Sequence, residues 1–252
     1  MVKILSPRWQ AAVRYLGWAE PFWRWRLSYA ICPNCNGKLF VSLASNPFMI
    51  RCLSCRCNAT SLAIISVLRS HVEKYKVNVA WEMSTYGAAY QYLSNNIQIV
   101  IGSEYYPNIK SGDFIGGVLN QDVQNLSFDS DSLDLITSNQ VFEHVPDDIS
   151  GYSECYRVLR NNGALVFTVP LYDIPSTECI AGTVANEVIF HNEPEYHDSR
   201  TSGLKSVVTF WHHSVHDICN RVSQVGFNAY LVDVMITKVQ NTPAKVIYAV
   251  KN

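Results

Sequence analysis

The sequence predicts an α/β protein whose centre is a mostly parallel sheet of seven strands. From residue 76 onward, short apolar runs alternate with amphipathic segments, and this alternation is typical of a parallel sheet covered by helices on both faces. The chain has 252 residues, of which 48% are hydrophobic and 16% charged. A chain of that length and composition can form one full α/β domain with a small appendage.

The apolar runs and the turn residues between them place the individual elements. Strands are predicted over residues 77–82, 98–103, 115–119, 132–138, 164–169, 229–234 and 246–250. Helices are predicted over residues 60–75, 87–93, 147–159 and 211–225, the third ending in a left-handed turn at Asn161, Asn162 and Gly163. Residues 171–210 are expected to be rich in loops. The span from Glu104 to Asp122 leaves room for only a vestigial helix.

The first 75 residues differ from the rest in charge and pattern. They hold ten Lys/Arg and two Asp/Glu, a formal charge of +8, whereas residues 76–252 carry −9. Residues 6–29 show two apolar stripes at helical spacing, which predicts a helix interrupted at Pro21. That helix could be sandwiched in protein, or its Arg24 and Arg26 could dock on a membrane surface or a nucleic-acid backbone. A boundary after residue 75 is therefore expected.

Four cysteines in this segment form a metal-binding pattern. Cys32 and Cys35 make one C-x-x-C turn, and Cys52 and Cys55 make a second turn after 16 intervening residues. Two such turns direct four thiolates at one point, and a closed tetrahedral S₄ site favours structural zinc. Cys57 follows closely and competes as the fourth ligand. The sequence thus predicts a zinc ribbon, with redox-active or free thiols as the other interpretation.

The stretch from Asp122 to Pro170 is the most informative part of the chain. Its pieces are an acidic turn (DVQNLSFD), a strand (SLDLI), an EHV helix entry (VFEHVPD), the run RVLRNNGAL and the strand end TVP. This succession resembles the class I S-adenosylmethionine-dependent methyltransferases of the broad "type 11" group. The resemblance spans residues 76–252 and implies a Rossmann-like methyltransferase fold with S-adenosylmethionine as cofactor.

The resemblance implies roles for residues at the strand ends. Glu104 would hold the ribose hydroxyls, Asp122 the adenine amino group, and the Val123 amide the adenine ring. Tyr105, Gln121 and Asn139 lie beside these positions at the carboxyl edge, where open α/β sheets bind ligands. His144 would face the sulfonium region or the acceptor. Histidine suits a general base at neutral pH, and the candidates are His144, His191, His197, His212 and His213. His144 has the best position among them, with a structural bond to backbone as its other interpretation.

The first loop departs from the family pattern. The family's glycine-rich turn should begin at Glu82, yet its glycine positions hold Ser84, Tyr86 and Ala88. Glycines serve there because the backbone must approach the cofactor closely. Gly87 is expected to take over part of this role, and Tyr86 could cover the methionine moiety.

The function expected is methyl transfer to an oxygen or nitrogen of a small polar metabolite, such as a sugar or a secondary metabolite. Two alternatives stay open: an RNA methyltransferase that docks through the basic zinc-ribbon segment, and a non-catalytic relative. A metal site formed by His191, Glu193, Glu195 and His197 is a further possibility, although their spacing fits no regular ligand pattern. No apolar run is long enough to span a membrane, and the cysteine usage suits a reducing cytoplasm. The sequence does not specify the oligomeric state.

Overall fold

An eight-stranded mixed sheet forms the centre of the computed structural model, which describes residues 17, 19–44, 46–185, 187–199 and 203–252. The first half of the chain contributes β1 (Arg26–Tyr29), β2 (Leu39–Ser42), β3 (Ile50–Cys52), α1 (Ala59–Lys74), β4 (Val79–Glu82), α2 (Ala88–Asn96), β5 (Ile99–Glu104), β6 (Phe114–Ile115), β7 (Val118–Asn120) and β8 (Leu133–Asn139). The second half contributes α3 (Asp148–Val158), β9 (Leu159–Thr168), β10 (Leu171–Tyr172), β11 (Glu178–Cys179), β12 (Ala181–Val184), β13 (Glu187–Phe190), β14 (Tyr196–Ser199), β15 (Gly203–Val208), β16 (Trp211–Ser214), α4 (Ile218–Ser223), β17 (Asn228–Val234) and β18 (Ala244–Val250).

The strand order in the central sheet is β17-β18-β9-β8-β4-β5-β7-β6. Strands β9, β8, β4, β5 and β7 are parallel, whereas β18 runs antiparallel to both of its neighbours and β6 antiparallel to β7. Most residues of β8 and β9 are buried because helices cover both faces of the sheet. The predicted α/β fold is confirmed, and each of the seven predicted strands has its counterpart in this sheet.

Helices form a layer on each face. One hydrophobic cluster joins α1 and α2 to strands β4, β8, β9 and β18, and a second joins α3 and α4 to the opposite face. Helix α1 begins at Asn58, whose side chain accepts a hydrogen bond from the Ser61 amide, and α3 begins at Asp147, which accepts one from the Ser150 amide. Such caps satisfy backbone amides that the first turn leaves without partners.

The cysteine-containing segment folds as a three-stranded antiparallel sheet in the order β1-β2-β3. Its buried residues Phe40, Ile50 and Cys52 belong to the same hydrophobic cluster as α1 and the central sheet. Helix α1 therefore connects the small sheet to the large one. The boundary after residue 75 stays a prediction.

The predicted N-terminal helix over residues 6–29 is wrong over residues 19–29, whereas the described Gly17 is helical. Phe22–Arg24 form a short 3₁₀ turn, and Arg26–Tyr29 form strand β1. Strand pairing with β2 overrides the helical spacing of the aromatic residues, because β1 gains a full antiparallel ladder there. Residues 1–16 and Trp18 lie outside the described residues.

Four other boundaries also differ. The strand predicted over residues 115–119 is a hairpin of β6 and β7 with a turn at Gly116 and Gly117, which have φ of +56° and +83°. Asn162 has the predicted left-handed φ, +65°, but it lies within β9 and does not cap α3, because the chain turns directly into β9 at Leu159. The segment predicted to be loops, 171–210, holds β10–β15, and the helix predicted over 211–225 begins as strand β16.

The described part of residues 171–217, which we call the insert, bonds the loop at the carboxyl end of β8. The Phe210 amide donates a hydrogen bond to the Glu143 carbonyl at 2.8 Å, and the Trp211 indole N–H donates one to the Val145 carbonyl at 2.8 Å. These bonds hold the insert on the loop that follows β8. Among the described residues, no helix combines the length and apolar character that a membrane span requires.

Candidate functional site

Glu104 organises the loop at the carboxyl end of β4. Its Oε1 accepts hydrogen bonds from the Thr85 amide at 2.9 Å, from Thr85 Oγ1 at 2.7 Å and from Ser84 Oγ at 3.3 Å. Its Oε2 takes none of these hydrogen bonds. One carboxylate oxygen therefore fixes the loop, while the other can receive a ligand hydroxyl. Thr85 was missed by the sequence reasoning, which followed only the glycine positions.

Glu82 supports the same loop from below. It is buried beneath the sheet edge and bonded by the Thr137 hydroxyl, while the Met83 amide donates to the Thr137 carbonyl at 3.1 Å. Burial, together with repulsion from Glu104, holds the pKa of Glu82 well above its ordinary value. Glu82 thus positions the loop and does not reach the open edge.

Two glycines allow the backbone to come close at this loop. Gly87 has φ of +101°, a conformation that favours glycine, and a Cβ there would meet nothing within 4 Å. Gly102, on β5, lies directly under the loop, where a Cβ would come within 3.0 Å of the Ser84 carbonyl oxygen. The loop over Glu82–Gly87 therefore has open space above Gly87 and close backbone contact below it. Gly102 could have been noticed as the glycine interrupting an apolar strand.

The segment between β5 and β7 contains no helix, and side-chain hydrogen bonds hold it instead. Buried Asn120 donates to the carbonyls of Ile109 and Lys110 and accepts from the Tyr106 amide at 2.7 Å. Gln121 is also buried, and its amide bonds Ser111 and Ser127. Both the oxygen and the nitrogen of the Gln121 side chain thus hold the turn. Its contact with cofactor stays a prediction, and these bonds leave no polar atom of the side chain free to make it.

Asp122 and Val123 begin the turn after β7. Asp122 Oδ1 accepts two hydrogen bonds from Gln124, one from the backbone amide at 2.9 Å and one from the side-chain Nε2 at 3.2 Å. The Val123 side chain is buried against the core beneath α3. Asp122 Oδ2 takes none of these hydrogen bonds, so this oxygen is free to bind an amino group.

The other predicted residues lie at the open edge. Asn139, at the end of β8, is exposed and accepts a hydrogen bond from Thr168 Oγ1 at 2.7 Å. Tyr105 is 59% exposed and Tyr86 38% exposed. Glu104 and Asn139 thus end β5 and β8, and Asp122 follows β7, so all three lie at the carboxyl edge of these parallel strands.

A second group of polar residues lies where the insert meets the loop after β8. His144 Nε2 lies 3.7 Å from Glu143 Oε1, and His197 Nδ1 lies 4.0 Å from the same oxygen. The two imidazole rings meet edge to face, with their centroids 4.9 Å apart. Burial raises the pKa of Glu143 to about 8 and lowers the pKa of His144 to about 4. We call Glu143, His144 and His197 the insert triad.

Residues of the insert orient the triad. His144 Nδ1 donates to the Val208 carbonyl at 2.7 Å. Glu195 Oε1 accepts a hydrogen bond from His197 Nε2 at 3.2 Å, and Glu195 Oε2 accepts one from His212 Nε2 at 2.8 Å. Tyr172 stacks on the His212 ring with centroids 4.2 Å apart. The insert therefore builds a connected polar network against the end of β8.

The structure brings together only part of the metal set considered from the sequence. Glu195 and His197 join the network, whereas His191 and Glu193 are exposed on the connection between β13 and β14. Glu143, and not these two residues, lies beside His197. The sequence does not mark Glu143 as a functional residue, although it directly precedes His144. Its contact with His197 depends on how the insert folds, and nothing in the spacing indicates that.

The four predicted zinc ligands converge in the N-terminal segment. Cys32 Sγ lies 3.7 Å from Cys55 Sγ, and Cys35 Sγ lies 3.7 Å from Cys52 Sγ. Zn–S bonds of about 2.3 Å in a tetrahedron place sulfurs roughly 3.8 Å apart, so these distances match a zinc site. They are too long for a disulfide, and all four cysteines are free.

Both cysteine turns have the same backbone. The Asn36 amide donates to the Cys32 carbonyl at 3.0 Å, and the Arg56 amide donates to the Cys52 carbonyl at 2.9 Å. Asn36 and Arg56 have φ of +58° and +63°, so each turn closes in the left-handed region. Cys57 Sγ is directed instead to Asn34, whose amide donates to it at 3.6 Å. Cys57 is thus outside the group of four whose sulfurs converge.

Comparison with known proteins agrees with this architecture. Residues 84–167 match the model of a family described as "Methyltransferase domain". A search of curated proteins found no match.

Solved structures match over a larger part of the chain. An S-adenosylmethionine-dependent methyltransferase from Mesorhizobium loti is 17% identical, with a TM-score of 0.50 over 75% of this chain and 98% of that chain. A 1,6-didemethyltoxoflavin-N1-methyltransferase from Burkholderia thailandensis is 11% identical, with a TM-score of 0.51 over 77% and 79%. A methyltransferase from Clostridium acetobutylicum ATCC 824 is 14% identical, with a TM-score of 0.50 over 74% and 89%. The chain therefore has the class I methyltransferase fold, and its residues 84–167 match a methyltransferase domain, which supports the prediction of an enzyme.

Proposed function

We propose that this protein transfers a methyl group from S-adenosylmethionine to an oxygen or nitrogen of a small polar metabolite. The observation that carries the proposal is Glu104, which lies at the end of the second strand of a methyltransferase domain. One of its oxygens holds the first loop and the other is left for a ligand. The formal charge of −9 on residues 76–252 favours a small acceptor over a polyanionic nucleic acid.

The residues at the open edge fit the cofactor. Glu104 would bind the ribose hydroxyls, while Asp122 Oδ2 would accept from the adenine amino group and the Val123 amide would donate to the ring. Gly87 offers backbone approach without a side chain, which the methionine moiety needs. Tyr86 directly precedes Gly87, and Tyr105 directly follows Glu104. The rings of both tyrosines are exposed and would cover the ligand. Ser84, at one of the family's glycine positions, and its neighbour Thr85 hold the loop by bonding Glu104.

Catalysis would depend chiefly on alignment and exclusion of water. S-adenosylmethionine supplies an electrophilic methyl group on a sulfonium when it is bound. The chain's own contribution is to hold the acceptor in line with that group and to remove the acceptor's proton. The insert bonds the loop at this edge, and we assign proton handling to the insert triad, where His144 was expected to act as general base.

We also propose that Cys32, Cys35, Cys52 and Cys55 bind a structural zinc ion. The sulfur spacing and the matched turns support this assignment. The eight free cysteines support a reducing compartment such as the cytoplasm. A closed four-sulfur site leaves no position for substrate, so this zinc would act on folding and not on the reaction.

Isothermal titration with S-adenosylhomocysteine tests the cofactor site. The wild-type protein should bind it, and Glu104→Gln should weaken binding at least tenfold, because the amide keeps an oxygen for Thr85 but loses the charge that attracts the ribose hydroxyls. Glu178→Gln, an exposed residue on β11, is the matched control and should bind like wild type.

Failure to bind in protein with a cooperative unfolding transition would contradict the proposal and leave a non-catalytic methyltransferase fold. Equal loss in both variants would show that Glu104 has no specific role. A salt-dependent shift of RNA on a native gel would favour the nucleic-acid alternative instead.

A further inference from the structure

The hydrogen-bond partners of His144 fix which of its nitrogens is protonated. Its Nδ1 lies 2.7 Å from the Val208 carbonyl oxygen, which can only accept. Nδ1 therefore carries the hydrogen in the neutral ring, and Nε2 carries a lone pair. That lone pair lies 3.7 Å from Glu143 Oε1, which is too far away for a hydrogen bond.

The same argument applies to His197. Its Nε2 lies 3.2 Å from Glu195 Oε1, and a carboxylate takes the donor nitrogen of a neutral ring. His197 Nδ1 is then the lone-pair nitrogen, and it lies 4.0 Å from Glu143 Oε1. Two imidazole lone pairs and a carboxyl oxygen of Glu143 thus lie near one another with no hydrogen bond joining them.

Glu143 makes this arrangement costly without a cation. Its side chain is completely buried, and neither carboxylate oxygen accepts a hydrogen bond from the described residues. A buried carboxyl group without partners costs free energy and is normally paired with hydrogen-bond donors or a metal ion. The three ligand atoms of Glu143, His144 and His197 lie within 4.8 Å of one another. Bonds of about 2.0–2.2 Å to one ion would place such atoms roughly 3–4 Å apart, so small side-chain rotations complete the site.

We propose that Glu143, His144 and His197 bind one divalent first-row transition-metal ion. Two imidazoles and one carboxylate suit manganese, iron, cobalt or zinc better than magnesium or calcium, which prefer all-oxygen sites. The outer shell is already in place: Val208 holds His144, and Glu195 holds His197. Metal-binding histidines commonly have this arrangement, in which the second ring nitrogen donates to a carbonyl or carboxylate.

The metal site changes the role predicted for His144. With Nε2 bound to metal, His144 is a ligand and has no lone pair left to act as base. Three protein ligands leave coordination positions open, as catalytic sites do and structural sites do not. This consequence rests on the proposed function: a metal-bound hydroxyl of the acceptor would lose its proton more readily, which favours oxygen over nitrogen as the methylated atom.

Manganese titration followed by electron paramagnetic resonance tests the site on the whole protein. Mn²⁺ is the probe because thiolates bind it poorly, so the cysteine site retains its zinc. Wild type with one zinc per chain should bind one further Mn²⁺. Glu143→Gln and His197→Ala should each weaken Mn²⁺ binding by more than about 100-fold, which is the largest loss expected when an outer-shell partner is removed.

His191→Ala is the matched control, because His191 is an exposed histidine of the same insert outside the triad. It should bind Mn²⁺ like wild type. Wild-type protein that binds S-adenosylhomocysteine but no Mn²⁺, Co²⁺ or second Zn²⁺ would overturn the metal site and leave the proposed function intact. Equal Mn²⁺ binding by wild type, Glu143→Gln and His197→Ala would overturn it as well. Mn²⁺ binding without S-adenosylhomocysteine binding would uphold the metal site and contradict the proposed function.

Discussion

The two groups of side chains that we propose to bind metal are built in opposite ways. The cysteine cluster takes its four ligands from two short turns with identical backbone bonds, each turn contributing a pair. The insert triad takes Glu143 and His144 from the loop after β8 and His197 from β14, more than 50 residues further along the chain. The first is local in sequence, and the second exists only after the insert has docked.

This difference decides what each group needs from its surroundings. A C-x-x-C turn sets the direction of its thiolates through its own backbone. Metal binding is therefore expected to supply most of the folding free energy of the cysteine-containing segment. The triad depends on Val208, Glu195 and His212 to orient its rings. We therefore expect the cysteine cluster to control stability and the triad to control ligand binding.

The largest effect is expected from breaking the cysteine cluster. Cys52→Ser should abolish stoichiometric zinc and destabilise the protein by at least about 3 kcal/mol, or roughly 6–12 °C in Tm for a chain of this size. Cys57→Ser is the matched control, because Cys57 lies in the same turn but outside the four. It should keep its zinc and lose about 1 kcal/mol or less. Metal analysis and thermal unfolding measure both, and zinc loss in Cys57→Ser would mean that this residue is a ligand.

The next effect concerns α1, which joins the cysteine cluster to the central sheet. His71 on α1 is buried, and its Nδ1 lies 2.9 Å from the Tyr248 hydroxyl on β18. Burial lowers the pKa of His71 to about 4, from an unfolded value near 6.5. The unfolded chain therefore binds the proton more readily, so stability is complete above pH 6.5 and is lost as pH falls toward 4, by up to about 3 kcal/mol.

Urea unfolding of wild type and His71→Gln from pH 7 to pH 4.5 isolates this contribution. The glutamine keeps a hydrogen-bonding group for Tyr248 but does not titrate, so its stability should fall less with acid than that of wild type. Protonation of the zinc thiolates affects both proteins alike and cancels in the difference. Exposed His191→Gln should follow wild type. Parallel pH profiles for wild type and His71→Gln would show that α1 does not depend on a neutral His71.

A smaller effect sharpens the description of the triad. Glu195 bonds His197 and His212 at once, so Glu195→Gln leaves the ligands in place but weakens their orientation. Mn²⁺ affinity should fall by about 10–100-fold, the usual cost of losing an outer-shell partner. Glu193→Gln, exposed two residues earlier, is the control and should have no effect. If Glu195→Gln binds Mn²⁺ as Glu193→Gln does, the insert orients the triad by other contacts.

The same contrast explains what the sequence predicts and what it does not. Strand alternation and the pieces between Asp122 and Pro170 predict the sheet, because buried parallel strands are continuous apolar runs whatever lies around them. The cysteine pairs predict a metal centre because their turns are local. The place of Glu104 at the sheet edge is predicted for a related reason, since this residue ends a strand, whereas its role comes from the family resemblance.

The failures occur where tertiary contacts decide. Residues 22–29 have helical spacing yet pair with β2, and residues 211–214 form strand β16 because β10 and β11 flank them. Thr85 gains its role only through Glu104, across the gap between two strands. Glu143 reads as a solvent-exposed acid in a helix entry, and only the folded insert buries it. No spacing rule links residue 143 to residue 197.

The smallest effect tests whether the two cysteine turns are truly equivalent. Arg56 has φ of +63° directly after Cys55, in the position that Asn36 occupies after Cys35. Asparagine tolerates the left-handed conformation, whereas arginine is strained there by about 1–2 kcal/mol. Arg56→Gly removes this strain but adds freedom to the unfolded chain, so a net gain of about 0.5–1 kcal/mol is expected. Lys38→Gly, at an exposed position with no left-handed φ, should destabilise instead. Urea unfolding with zinc present measures both, and a loss of stability in Arg56→Gly would mean that the arginine side chain contributes more than its backbone strain costs.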